Sequence, residues 1–203
     1  MSENPTRVEA FSDGVFAIAI TLLILEIRVP HSGGDTTLWA GLLALWPSYI
    51  AFLMSFFVIL IEWVNHHELL RMVRAVNYPF LFANGFLLLT VTFLPFPTAV
   101  LAAKLATPDA GAAVAFYCAT FVLNALFWNV LFATMVRGRL LRAEVSESVV
   151  RNIRKTYYVS MAVYVLAAAL AFVQPALGLV LNASLWIVFA RLGYRSESAS
   201  SQR

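Results

Sequence analysis

The sequence predicts an all-α membrane protein that forms one domain of six transmembrane helices over residues 1–203. Of the 203 residues, 61% are hydrophobic and only 12% are charged, whereas a soluble domain averages about half apolar and about a quarter charged residues. The apolar runs also reach roughly the 20 residues that cross a bilayer as a helix. With 9 glycines and runs of this length, the chain lacks the pattern of a membrane β-barrel, whose strands alternate over about ten residues.

The six predicted spans are separated by short polar segments. They cover residues 8–29, 38–64, 78–101, 112–136, 156–173 and 175–192. Pro30 and a turn over Ser32 to Asp35 close the first span, and Gln174-Pro175 forms a tight turn between the last two. The polar tail, residues 196–203, is expected to be disordered. The N-terminus lacks the basic region and cleavage site of a secretory signal, so the first span is expected to be retained.

The positions of lysine and arginine predict that both termini are cytoplasmic. With the N-terminus inside, the cytoplasmic segments hold twelve of these residues and the outer loops hold two, Arg28 and Lys104. This distribution follows the positive-inside rule. The net charge of +3 therefore reflects topology and not nucleic-acid binding.

No enzyme signature occurs in the chain, and neither an enzyme nor a cofactor is predicted. His66, His67 and Glu68 are metal-ligand types, but neighbouring helical side chains diverge by about 100°. A polar network at the end of the second span is therefore expected instead of a metal site. The chain has no TVGYG-like segment, which excludes a potassium filter built of carbonyl rings.

Polar residues and prolines inside the spans are expected to serve packing. Membrane helices are commonly bridged by polar side chains, here Asn124, Asn129, Asn182 and Ser184. Proline kinks are tolerated in such helices, and three are expected, at Pro47, Pro95 and Pro97. Glu62 is placed near the inner end of its span, within reach of Arg71 or the histidines.

The first span combines a polar start with an apolar stripe. Asp13 is too costly to face lipid, so it is expected to face protein or water. Ile18, Leu22 and Leu25 follow i, i+4, i+7 spacing and share one helix face, with Thr21 beside them. The spacing alone favours ordinary helix packing. The alternative is a pore in which apolar rings gate by dewetting and Thr21 adds a ring of hydroxyls.

The beginning of this span resembles a known family. Its first helix opens with an Arg-x-x-x-Phe-Ser-Asp signature, matched here by Arg7, Phe11, Ser12 and Asp13. The run AIAITLLILEI follows, as it does in the lysosomal potassium channel family called transmembrane protein one-seventy-five. The end of the second span is also similar to bacterial members of that family, through Trp63, His66 and His67.

The resemblance implies a bacterial, single-repeat member that forms a homotetramer in the inner membrane. First helices line the pore in that family, which implies a constriction of Ile18, Leu22 and Leu25, with selectivity set by Ile18 and Thr21. The implied function is a potassium-preferring cation channel, weakly selective in bacterial members. Its implied partners are itself, the lipid bilayer and monovalent cations, with K⁺ as the permeant ion.

The resemblance further implies that Arg7, Ser12 and Asp13 fix the first helix to its neighbours. A proton-coupled transporter or proton leak is the alternative function, suggested by Asp13, Glu26 and the two histidines. A membrane scaffold or enzyme subunit without ion flux is a third hypothesis.

Overall fold

The computed structural model is a bundle of α-helices. It describes residues 5–30 and 37–200, with side chains through residue 190. In chain order the elements are α1 Pro5–Leu22, a 3-10 turn Leu23–Glu26, α2 Leu38–Ala44, α3 Trp46–Arg71, α4 Tyr78–Phe93, α5 Pro95–Lys104, α6 Ala110–Arg137, α7 Glu147–Ala171 and α8 Pro175–Ser200.

Four stretches of the described chain are long and apolar enough to cross a bilayer, so the protein is membrane-integral. They are Pro5–Glu26, Trp46–Arg71, Tyr78–Lys104 and Ala110–Arg137. A shorter apolar stretch covers Pro175–Ala190. The all-helical class is confirmed, while the count of six membrane crossings stays a prediction.

Local sequence signals set several helix ends. The side chain of Asn77 accepts a hydrogen bond from the Phe80 amide at 3.0 Å, and Ser146 accepts one from the Val149 amide at 3.4 Å. Such caps satisfy amides that have no partner within the helix. At the end of α6, Arg139 adopts a φ of 52°, a left-handed conformation that usually selects glycine.

Two predicted spans are each divided into two helices. The second span breaks at Leu45 between α2 and α3, and the third breaks at Leu94 between α4 and α5. Pro47 and Pro95 lie in the first turns of the helices that follow, where a missing amide hydrogen costs least. The two breaks therefore lie beside two of the three prolines that were expected to kink helices, and the third, Pro97, lies in the first turn of α5.

The end of the first span differs from the predicted one, whereas the turn between the last two spans agrees with the prediction. The first span ends earlier than Val29, because α1 tightens into the 3-10 turn and the chain is extended at Ile27. The tight turn at Gln174-Pro175 is confirmed, since α7 ends at Ala171 and α8 begins at Pro175.

The predicted turn at residues 32–35 lies outside the described residues, as do residues 201–203 of the tail. Residues 196–200, the first part of the tail expected to be disordered, are helical as the end of α8. Extension of an established helix is favourable because each added residue forms one further hydrogen bond.

The α3–α4 and α6–α7 loops lie together at one end of the bundle. Val73 and Leu141 form an antiparallel bridge. The Arg74 amide donates to the Leu140 carbonyl and the Arg142 amide donates to the Met72 carbonyl, both at 2.9 Å. The predicted topology requires these two loops to share one side of the membrane, and this pairing agrees with it.

Candidate functional site

Helix α1 has two chemically different faces. Its inner face packs against α3 and α4 and buries Val8, Ser12, Phe16 and Ala19. Its outer face is left uncovered by the single chain. Three apolar side chains of that face are 60%, 42% and 69% exposed, namely Ile18, Leu22 and Leu25. These are the residues of the predicted apolar stripe, called here the α1 stripe.

The α1 stripe continues across a change of helix type. Ile18 and Leu22 belong to α1, whereas Leu25 belongs to the 3-10 turn that follows. A 3-10 helix completes a turn in three residues, so Leu25 stays above Leu22. The spacing of four and then three residues therefore keeps one face across both elements.

Thr21 lies on the exposed side of α1 beside the stripe. Its hydroxyl donates within the helix, to the carbonyls of Ala17 and Ile18, both at 2.9 Å. Because the hydroxyl hydrogen is directed to the backbone, both lone pairs of the exposed oxygen remain free to accept. An exposed oxygen with free lone pairs is suited to accept a hydrogen bond from water or to contact a cation.

The inner face of α1 is held to α3 by two polar contacts. Trp63 Nε1 donates to Asp13 Oδ1 at 2.8 Å, and His67 Nδ1 lies 2.8 Å from Glu9 Oε1. The partners on each helix are four residues apart, and the pairs run in opposite directions along the two chains. The two contacts therefore lie one helical turn apart along a pair of antiparallel helices.

The carboxylate of Asp13 has a partner within the subunit. It accepts a hydrogen bond from the Trp63 indole of α3. Arg7 and Phe11 are both exposed, because they lie on the outer side of α1. Among the signature residues, Ser12 and Asp13 therefore make the contacts that fix α1 within the chain.

A buried amide joins α1, α3 and α4. Asn84 Nδ2 donates to Ser12 Oγ at 3.0 Å, and Asn84 Oδ1 lies 2.8 Å from His66 Nε2. Because the amide nitrogen already donates to Ser12, the amide oxygen accepts from His66, which carries its proton on Nε2. The His66 ring also packs against Phe16 and Trp128, at centroid distances of 5.4 and 6.0 Å.

The three metal-ligand types at the end of α3 take separate partners. His66 contacts Asn84, His67 contacts Glu9, and Glu68 Oε1 accepts from Arg71 at 3.1 Å. The predicted divergence of neighbouring helical side chains accounts for this arrangement. The predicted polar network at this end of α3 is confirmed.

The polar residues inside the spans fulfil the packing prediction in part. Asn124 bridges α6 to α3 and α4, and Asn129 contacts the Tyr157 carbonyl of α7 at 3.4 Å. Asn182 reaches Cys118 of α6 through a weak contact with sulfur at 3.8 Å. The prediction was wrong for Ser184, whose exposed hydroxyl donates to the Leu181 carbonyl of its own helix.

Glu62 and Asn84 show where the sequence reasoning failed. Glu62 contacts Asn124 and neither Arg71 nor a histidine, because α3 continues past the predicted end at Val64 to Arg71. Asn84 was overlooked, although a lone amide within the apolar run of α4 carries the same signal as Asn124.

The fold and this site define an integral membrane protein whose first helix is held by polar contacts on one face and uncovered on the other. The model of the endosomal/lysosomal potassium channel TMEM175 family matches residues 7–95. A potassium channel of Chamaesiphon minutus is 46% identical over 187 residues, which cover 91% of this chain and 92% of that protein. The chain belongs to the TMEM175 family, which confirms the predicted resemblance.

Two further comparisons agree with this membership. The crystal structure of a lysosomal potassium-selective channel TMEM175 homolog from Chamaesiphon minutus matches with a TM-score of 0.82 and 42% identity, covering 93% of this chain and 97% of that one. The endosomal/lysosomal proton channel TMEM175 of Danio rerio is 44% identical over 98 residues, 44% of this chain and 19% of that protein. The family is one of ion channels, so the prediction that the chain is not an enzyme is confirmed.

Proposed function

We propose that the chain is the subunit of a homotetrameric, potassium-preferring cation channel of a bacterial inner membrane, with α1 of each subunit lining the pore. The observation that carries this proposal is the α1 stripe, which the subunit leaves uncovered on a helix that it anchors on the other face. The potassium channel of Chamaesiphon minutus, 46% identical to this chain, supports the choice of ion.

Around a fourfold axis, the stripe becomes a stack of apolar rings. Ile18 forms the narrowest ring, and Leu22 and Leu25 continue the lining. Such a ring offers water no hydrogen bonds and gates by dewetting. A cation crossing it sheds part of its hydration shell, which costs potassium less than sodium. The Thr21 oxygen beside the rings replaces part of the lost water.

The inner-face contacts give the pore its rigidity. Asp13 and Glu9 hold α1 to α3, and the Asn84 amide holds it to α4. These contacts fix the rotation of α1 about its axis, which decides whether the stripe faces the pore.

Replacing Ile18 with Asn tests the constriction. The amide gives water hydrogen-bonding partners, so we expect faster potassium flux in liposomes and a smaller preference for potassium over sodium. Leu22→Asn and Leu25→Asn should act in the same direction but more weakly, because the Ile18 ring still resists wetting.

A control variant separates permeation from folding. Ile20 packs against the core on another face of α1, so Ile20→Asn should reduce stability and leave ion preference unchanged. An Ile18→Asn tetramer with unchanged rate and preference would refute the constriction.

Proton permeation is a second candidate, favoured by the similarity to the proton channel of Danio rerio. Three of the titratable groups that suggested it, Asp13, His66 and His67, make contacts on the inner face of α1 and not on the stripe. Reversal potentials in opposed potassium and pH gradients distinguish the two: a potential that follows the pH gradient would favour protons.

A further inference from the structure

A second candidate site lies between helices of the subunit, apart from the α1 stripe. A cavity of about 30 Å³ lies between α3, α6, α7 and α8. Its polar lining includes Glu62, Asn124, Ser160 and Trp186. None of the described residues that line it belongs to α1.

Glu62 is a carboxyl group within the apolar bundle. It lies nine residues before the end of α3 at Arg71, or about 14 Å at the helical rise per residue. Asn124 Nδ2 contacts Glu62 Oε2 at 3.1 Å and also donates to Thr90 Oγ1 at 2.9 Å. This shared amide supplies only part of the hydrogen bonding that an ionised carboxylate requires.

No cationic side chain offsets the charge of Glu62 in the cavity. The described residues that line it include no lysine, arginine or histidine. An ionised carboxylate in such surroundings is costly unless it is paired or hydrated. Glu62 therefore requires water, a proton, or both.

The volume of the cavity is sufficient for water. One water molecule needs about 10–15 Å³ of cavity volume. The cavity of about 30 Å³ therefore has room for about two water molecules.

We propose that this cavity is a hydrated proton-binding site in which Glu62 is the acid. A hydronium ion reaching the cavity transfers its proton to the carboxylate and leaves water, and the reverse step restores the carboxylate. Water in the cavity donates to Glu62. The site lies within each subunit and does not depend on the proposed pore.

Glu62 is the strongest acid among the titratable groups that line the cavity. Tyr157 and Tyr164 of α7 line the cavity, and both are phenols, weaker acids than a carboxyl. The α6 and α8 residues in the lining are uncharged. His66 lies one turn further along α3 and is hydrogen-bonded to Asn84. Asp13 of α1 accepts a hydrogen bond from Trp63, and neither residue lines the cavity.

Infrared spectroscopy of the protein in liposomes tests the site without any flux measurement. We expect the carbonyl stretch of a protonated carboxyl, decreasing as pH rises and shifting in D₂O as the proton exchanges. Glu62→Gln should abolish this band while keeping an acceptor for Asn124. Glu68→Gln, on the same helix but outside the cavity, should retain it. Both variants are first matched to the parent chain in unfolding temperature.

Other outcomes of the same experiment overturn the proposal. A spectrum that Glu62→Gln leaves unchanged at every pH shows that Glu62 binds no proton. A band that does not shift in D₂O shows that the cavity is dry.

Discussion

Asp13 is a carboxylate near the start of an apolar helix, and its contact with Trp63 is the residue-level test of how α1 is held. Asp13→Ala leaves the indole N–H without its acceptor. Trp63 is 39% exposed, so we expect a loss of about 1.5 kcal/mol, the lower end for a hydrogen bond to a charged group. Denaturation of the purified protein by SDS measures this loss.

A double-mutant cycle isolates the contact from other effects of Asp13. Trp63→Phe removes the same hydrogen bond from the other side, so the two losses should not add when both substitutions are combined. Ion preference should be unaffected in variants that assemble. Additive losses would mean that Asp13 and Trp63 do not stabilise the protein through their shared contact. A changed ion preference in an intact assembly would place Asp13 in the pore lining.

At the scale of helices, one amide connects three of them. Asn84→Leu leaves the buried His66 Nε2 without its acceptor and Ser12 without its donor. Orphaned buried groups cost about 1–3 kcal/mol each, so we expect about 3 kcal/mol of lost stability, measured by SDS denaturation. α1 should also loosen, which increased amide hydrogen exchange in α1 would show.

Thr92→Val is the matched control on α4. Thr92 is exposed, and its hydroxyl donates only to the Leu89 carbonyl of its own helix. Its loss should cost no more than about 0.5 kcal/mol, the usual range for a surface substitution. Equal losses for Asn84→Leu and Thr92→Val would mean that the amide does not join the helices.

At the scale of the whole molecule, the uncovered face of α1 predicts an assembly. Phe11, Ile18 and Leu25 are each at least 60% exposed on this face, and one subunit cannot enclose a pore with a single helix face. We expect a tetramer in native mass spectrometry from mild detergent. A stable monomer or dimer, in conditions that preserve the fold, would contradict the fourfold arrangement.

The sequence by itself determined the class of protein and much of its local structure. Apolar runs of bilayer length select membrane helices, whatever their partners are. Caps such as Asn77, and prolines such as Pro95, act within a few residues, so their effects were readable along the chain. The spacing of Ile18, Leu22 and Leu25 placed them on one face for the same reason.

Only the tertiary structure decided which contacts that local structure makes. Asp13 meets Trp63, Asn124 meets Glu62 and Asn84 meets Ser12 across 50, 62 and 72 positions of sequence. Helical periodicity shows that two residues share a face, but it does not show which distant helix covers that face. Packing therefore decided that the inner face of α1 is bonded and its stripe uncovered, because partners this far apart in sequence meet only in the folded bundle.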